Sequence, residues 1–214
     1  MATGFVTAAD MQEQLGGIPL ARIRMVPSPG TATEQDLLRV LDSENRTCEL
    51  IDGVLVEKTM GYFESRLAIA LSVFLEIFLE KNDFGIGLGS DGAVRILGDQ
   101  IRAPDVAFFS WRHFPDRLLP AAPVPAIVPD LAVEVLSTSN TRAEMERKLD
   151  EYFAAGVALV WLIDPASQSA TVYESRQQIR VLSLSDSLSG GNVLPGFELP
   201  LQQLFEKAGR RSGR

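Results

Sequence analysis

Two runs of this chain are too apolar to lie on a surface, and each carries one carboxylate. Arg102-Ala-Pro-Asp-Val-Ala-Phe-Phe109 holds Asp105, and Asp130-Leu-Ala-Val-Glu-Val-Leu136 holds Glu134. Short runs of this kind, bounded by proline or polar residues, read as β-strands buried in a sheet. A buried carboxylate without a partner is costly to ionise. A chain that keeps two of them on neighbouring inner strands has a use for their charge, most often to hold a divalent cation. A third apolar run, 157–163, follows after one helical stretch and is stopped by Asp164-Pro165. Strands alternating with helices in this way point to α/β or α+β architecture.

The remaining segments can be arranged around these strands. Residues 1–30 are punctuated by glycine and proline and end in Val26-Pro-Ser-Pro-Gly30, an N-terminal arm ahead of a single domain over 31–205. Thr31-x-x-Glu34 reads as a capping box, with Leu37, Leu38 and Leu41 at helical spacing behind it. The stretch 48–56 reads as a β-hairpin turning at Asp52-Gly53. A long helix over 62–81 carries Leu67, Leu71, Phe74, Leu75 and Phe78 on one face. Strands are expected at 84–89 and 93–97, then a proline-rich loop over 114–129 with His113 at its edge. A helix over 142–155, closed by Gly156, precedes the 157–163 strand, and an antiparallel pair follows at 171–173 and 179–182. The basic tail, 206–214, reads as a solvated terminus.

Composition narrows the chemistry. A chain of 214 residues, 46% hydrophobic, builds one domain with a substantial core. Its net charge of −8 argues against holding nucleic acid by bulk electrostatics, but not against a nuclease whose acids gather at a metal site. One cysteine, Cys48, excludes an internal disulfide framework and a cysteine-rich zinc site. One histidine argues against a multi-histidine metal site. No signal-like or membrane-length run is present, so a cytoplasmic location without a membrane partner is expected.

Lys148 lies three residues after Met145 and four before Tyr152, at the border of the apolar face of its helix, with Arg147, Asp150 and Glu151 on the opposite side. Its stem can reach the Glu134 strand, although lysines at such borders also snorkel outward. Glu134 shares a strand face with Ala132 and Leu136; an arginine or a helix N-terminus could satisfy it instead. Asp105 follows Pro104, where an acid can simply begin a strand. Glu64 stands on the apolar stripe of the long helix, where the macrodipole also favours an acid. Glu49 sits in the hairpin with no decided role.

Glu49-Leu-Ile-Asp-Gly-Val-Leu-Val, Arg102-Ala-Pro-Asp-Val-Ala, Leu131-Ala-Val-Glu-Val-Leu-Ser, and Lys148-Leu-x-x-Tyr-x-x-x-Gly-Val157 followed by Trp161-Leu-Ile-Asp-Pro165 resemble, in that order, the Uma-two family of restriction-endonuclease-like proteins. That family belongs to the PD-(D/E)xK nuclease superfamily. The resemblance implies an α/β, restriction-endonuclease-like core: a central mixed β-sheet flanked by helices, with an N-terminal helix and β-hairpin extension. It makes Asp105 and Glu134 metal-binding acids and Lys148 the catalytic lysine, displaced from the superfamily's usual place two residues after the second acid. Glu64 occupies a position where members often carry histidine, and would be a further metal ligand.

The expected activity is a metal-dependent endonuclease, using Mg²⁺ with Mn²⁺ as a substitute, on nucleic acid and foremost DNA. Homodimerisation is left open. The rival is a catalytically inactive nuclease-fold module acting in protein or nucleic-acid interaction, which the acidic charge and the displaced lysine favour.

Overall fold

The computed structural model describes residues 5–44 and 46–209. In chain order these form α1 (Ala8–Gln14), α2 (Glu34–Glu44), β1 (Cys48–Ile51), β2 (Val54–Glu57), α3 (Tyr62–Asn82), β3 (Gly85–Gly89), β4 (Val94–Leu97), β5 (Gln100–Arg102) and β6 (Val106–Ser110). Then follow β7 (Leu131–Val135), α4 (Arg142–Ala155), β8 (Leu159–Asp164), β9 (Ser169–Tyr173), β10 (Ile179–Leu182), β11 (Ser187–Ser189), β12 (Glu198–Pro200) and α5 (Leu201–Ala208).

The central sheet has six strands in the order β10-β9-β8-β7-β6-β3. Only β7 and β8 run parallel, which requires a crossover, and α4 supplies it. Alternation along β6, β7 and β8 divides the core. Val106, Phe108, Leu131, Val133 and Trp161 pack under α3 and α5, while Ala107, Phe109, Ala132, Val160 and Leu162 pack under α4. The mixed sheet flanked by helices is therefore as the sequence implies. Among the described residues no helix is long and apolar enough to cross a membrane.

A second, antiparallel sheet, β2-β1-β5-β4, carries the expected hairpin and a strand that periodicity did not reveal. The hairpin turns at Asp52-Gly53, where Gly53 has φ +71° and a Cβ would lie 2.6 Å from the carbonyl carbon of Gly30. The run 102–109 is not one strand. It is split between the sheets: Arg102 ends β5, Val106 begins β6, and Asp105 stands at the crossing. Pro104 explains the break, since it has no N–H to give a ladder.

Three local expectations are corrected. At the start of α2 it is Asp36 that reaches back, its Oδ2 accepting from Thr33 N at 2.9 Å and from Thr33 Oγ1 at 2.7 Å, while Thr31 Oγ1 donates to Ser28 O. Glu151 does not face solvent: the small sheet lies over the far side of α4, so Glu151 is buried and paired with Arg102 of β5. The chain also continues into α5, whose Leu201, Leu204 and Phe205 join the core under α3. The last three arginines of the tail lie outside the described residues.

The N-terminal arm is folded down. Met11, Leu15 and Ile18 pack against Ile51, Val54 and Val56 of the hairpin, and buried Arg22 makes a two-point contact with Glu144 of α4 at 3.0 and 2.9 Å.

Cys48 is buried at the start of β1, and desolvation pushes its thiol up to about 11, against the weaker pull of Arg24. We expect the native protein at pH 8 to resist a thiol reagent and to react fully once unfolded. Fast native-state reaction, followed by absorbance, would contradict this packing.

Candidate active site

The charged residues of the site come from four elements pressed into one buried cluster between the two sheets. Asp105 is fixed at the crossing by its backbone. Its N–H donates to Val133 O at 2.9 Å, and its Oδ2 accepts from Val135 N at 2.6 Å. These two bonds bracket Glu134, so Asp105, at the crossing, stands beside Glu134 of β7. Both are buried, at 4% and 5% exposure.

Glu134 points to the α4 face. Its Oε1 accepts from Lys148 Nζ at 2.9 Å and from Tyr152 OH at 2.6 Å. Both bonds fall on Oε1, which leaves Oε2 as the oxygen open to a ligand. Lys148 also meets Glu49 Oε1 at 2.9 Å. Glu49 in turn pairs with Arg102 at 2.8 Å, and Arg102 with Glu151 at 2.6 Å. Arg147 reaches Glu151 from the rim but is shared with Asp52. Asp105, Glu134, Lys148 and Glu49 are thus brought together.

Glu64 lies buried in the first turn of α3, with its carboxylate folded against Gly61.

Lys58, immediately after β2, was missed. Its Nζ lies 2.6 Å from Asp105 Oδ1, an ion pair without hydrogen-bond alignment, and donates to Ala103 O at 2.5 Å. A lysine directly after a strand reads as solvated, so position alone gave no signal.

The electrostatics are uneven. Burial pushes Glu49 up, but Lys148, Arg102 and Lys58 outweigh it and hold the carboxyl well below the usual range. Burial would lower Lys148, yet Glu134 and Glu49 hold it above its ordinary value. Glu134 goes the other way: burial raises it, Asp105 and Glu49 add to the rise, and the two lysines offset only part. Around four carboxylates (Glu49, Asp105, Glu134, Glu151) stand Lys58, Arg102 and Lys148, with Arg147 reaching Glu151 from the rim, and burial is the largest cause of the rise at Glu134.

These donors suit a hard cation. Asp105 Oδ1 lacks a hydrogen bond and Glu134 has Oε2 to offer, which makes two carboxylate ligands. Among the described residues no three or more His, Cys, Asp or Glu are gathered to hold a metal. Two carboxylate ligands would leave most of a hard ion's coordination to water. Asp105 opens on a cleft of about 540 Å³ walled by Met60, Ser65, Ile69 and Ser72 on one side and by 88–92 on the other.

Comparison with known proteins agrees with this frame. A search of curated proteins returns no match. The crystal structure described as that of "a putative nuclease belonging to DUF820" from Anabaena variabilis superimposes with a TM-score of 0.67 at 20% identity, over 77% of this chain and 92% of that one. At this identity the likeness is one of fold. A family model described as "Putative restriction endonuclease" matches residues 34–202. That match opens on the first residue of α2 and runs into α5, taking in both sheets and every member of the buried cluster, so the chain belongs to the Uma2 family.

Proposed function

We propose that this protein is a metal-dependent nuclease that hydrolyses phosphodiester bonds, with DNA as its substrate and Mg²⁺, or Mn²⁺ in its place, as its ion. The observation that carries the reading is the Asp105–Glu134 pair: two buried acids, held side by side by backbone bonds at the edge of a cleft. A bound divalent ion supplies Lewis-acid polarisation of the phosphate and a more acidic water. Asp105 and Glu134 would hold it. Val135 N fixes Asp105 through Oδ2, and Lys148 and Tyr152 fix Glu134 through Oε1, so the other oxygen of each acid is the one left for the ion, with Lys58 standing over Asp105 Oδ1. From its sealed position Lys148 acts on the reaction through Glu134. The cleft beside Asp105 admits the substrate strand.

One observation favours the inactive-module reading: Lys58 and Lys148 already compensate the acids internally. A cleavage assay decides. Single- and double-stranded DNA and RNA are incubated with Mg²⁺ or Mn²⁺, beside a Glu134→Ala control. Ion-dependent cleavage that is lost in the control supports the nuclease; no cleavage of any form, or cleavage that survives in the control, sinks it.

A further inference from the structure

Two lysines serve the cluster, and they are not equivalent. Lys148 is held between two carboxylates with its side chain 4% exposed. Lys58 leaves the end of β2 with its side chain 10% exposed, and its partner Asp105 is the acid of the cluster that lines the cleft. Its ammonium donates to Ala103 O, which leaves donors for a further partner. The contact to Asp105 lacks hydrogen-bond alignment, so it is chiefly a charge pairing, and a stronger charge can replace it. The oxygen it covers, Oδ1, is the one that the backbone bond to Val135 leaves for a metal ion.

We propose that Lys58 is an exchangeable counter-ion. It neutralises Asp105 while the site holds no metal, yields Oδ1 to the arriving ion, and turns its ammonium into the cleft toward a phosphate oxygen of the substrate. A four-carbon stem anchored at a strand end can make this short swing without moving the backbone, and a compact ammonium suits a non-bridging phosphate oxygen. The exchange also sets the ion affinity, because metal must compete with an internal cation for the same acid. The inference rests on the proposed function, since it needs an ion at Asp105.

The test is Mn²⁺ binding by calorimetry, with metal-free melting temperature beside it, for the wild type, Lys58→Met and Asp105→Asn. Lys58→Met keeps the stem and removes the competitor. It should melt lower without metal, bind Mn²⁺ about tenfold tighter or more, and cleave more slowly at saturating metal. Should the methionine variant fail to fold, Lys58→Gln keeps a donor for Ala103 O and carries the same expectation. If Mn²⁺ binding depends on Asp105 but is unchanged or weaker in the Lys58 variant, the lysine is a fixed strut; the exchange is overturned and the nuclease reading stands. If neither the wild type nor the Lys58 variant binds Mn²⁺, both readings fall.

Discussion

Glu134→Gln should lower phosphodiester hydrolysis by about 100- to 1000-fold, the scale of losing one preorganised electrostatic contact in an active site. The amide is nearly isosteric and keeps an oxygen for Lys148 and Tyr152, so the fold should survive. It should melt at or above the wild-type temperature without metal, because the substitution removes a carboxyl whose charged form burial disfavours. The pH dependence adds a signature. A carboxyl whose pKa is raised on folding stabilises the native state through its neutral form. That contribution is fully present below its unfolded value and is lost as pH rises through the folded one. The wild type should lose this increment on going to neutral pH, and Glu134→Gln should not. Wild-type turnover in the variant would remove Glu134 from the chemistry.

Lys148→Met should cost about 3–5 kcal/mol of stability, the scale for breaking a buried pair by removing one partner. Here two acids, Glu134 and Glu49, lose their shared cation. The sign with pH can be worked out. Lys148 is held above its ordinary value, so its contribution is present throughout the range below that value and lost only in strong alkali. Glu49 is held below its ordinary value, so its contribution is present above the unfolded carboxylate range and lost as pH falls. In the variant both acids can relieve the missing cation by taking up protons. The deficit relative to wild type should therefore be larger at pH 8 than at pH 5.5, measured by urea unfolding. A deficit independent of pH would mean that the stem's packing, not its charge, is what the helix needs. Lys148→Arg should rescue poorly, since a planar fork does not fit a pocket built for one ammonium between two oxygens.

The parts of this site that the sequence made legible are those whose pattern is local. Glu134 in an apolar run and Lys148 at a defined place on the next helix could be located because strand alternation and helical spacing each fix which way a side chain points. The rest depended on a second sheet. Arg102, Glu49 and Glu151 read as unremarkable charges until β1 and β5 are laid against α4, which covers that helix on two sides and turns a nominal solvent face inward. Lys58 had no periodic signal, but usage could have pointed to it. Arginine outnumbers lysine sixteen to four in this chain, and two of the four lysines are in the cluster. Helix α5 begins directly after Pro200, which stands just before its first turn.

The cluster's pairings also imply an order of assembly. Lys148 and Glu134 are 14 residues apart, Arg102 and Glu49 are 53 apart, and Arg22 and Glu144 are 122 apart. Closing the longer loops costs more chain entropy before any contact repays it. The β7–α4 pair thus belongs to the early, local part of folding, with its acid and lysine still hydrated. The hairpin, with Arg22 of the arm bonded to Glu57 only 35 residues away, then carries Glu49 and Lys58 in. Desolvation of the acids is deferred until every cation that compensates them has arrived.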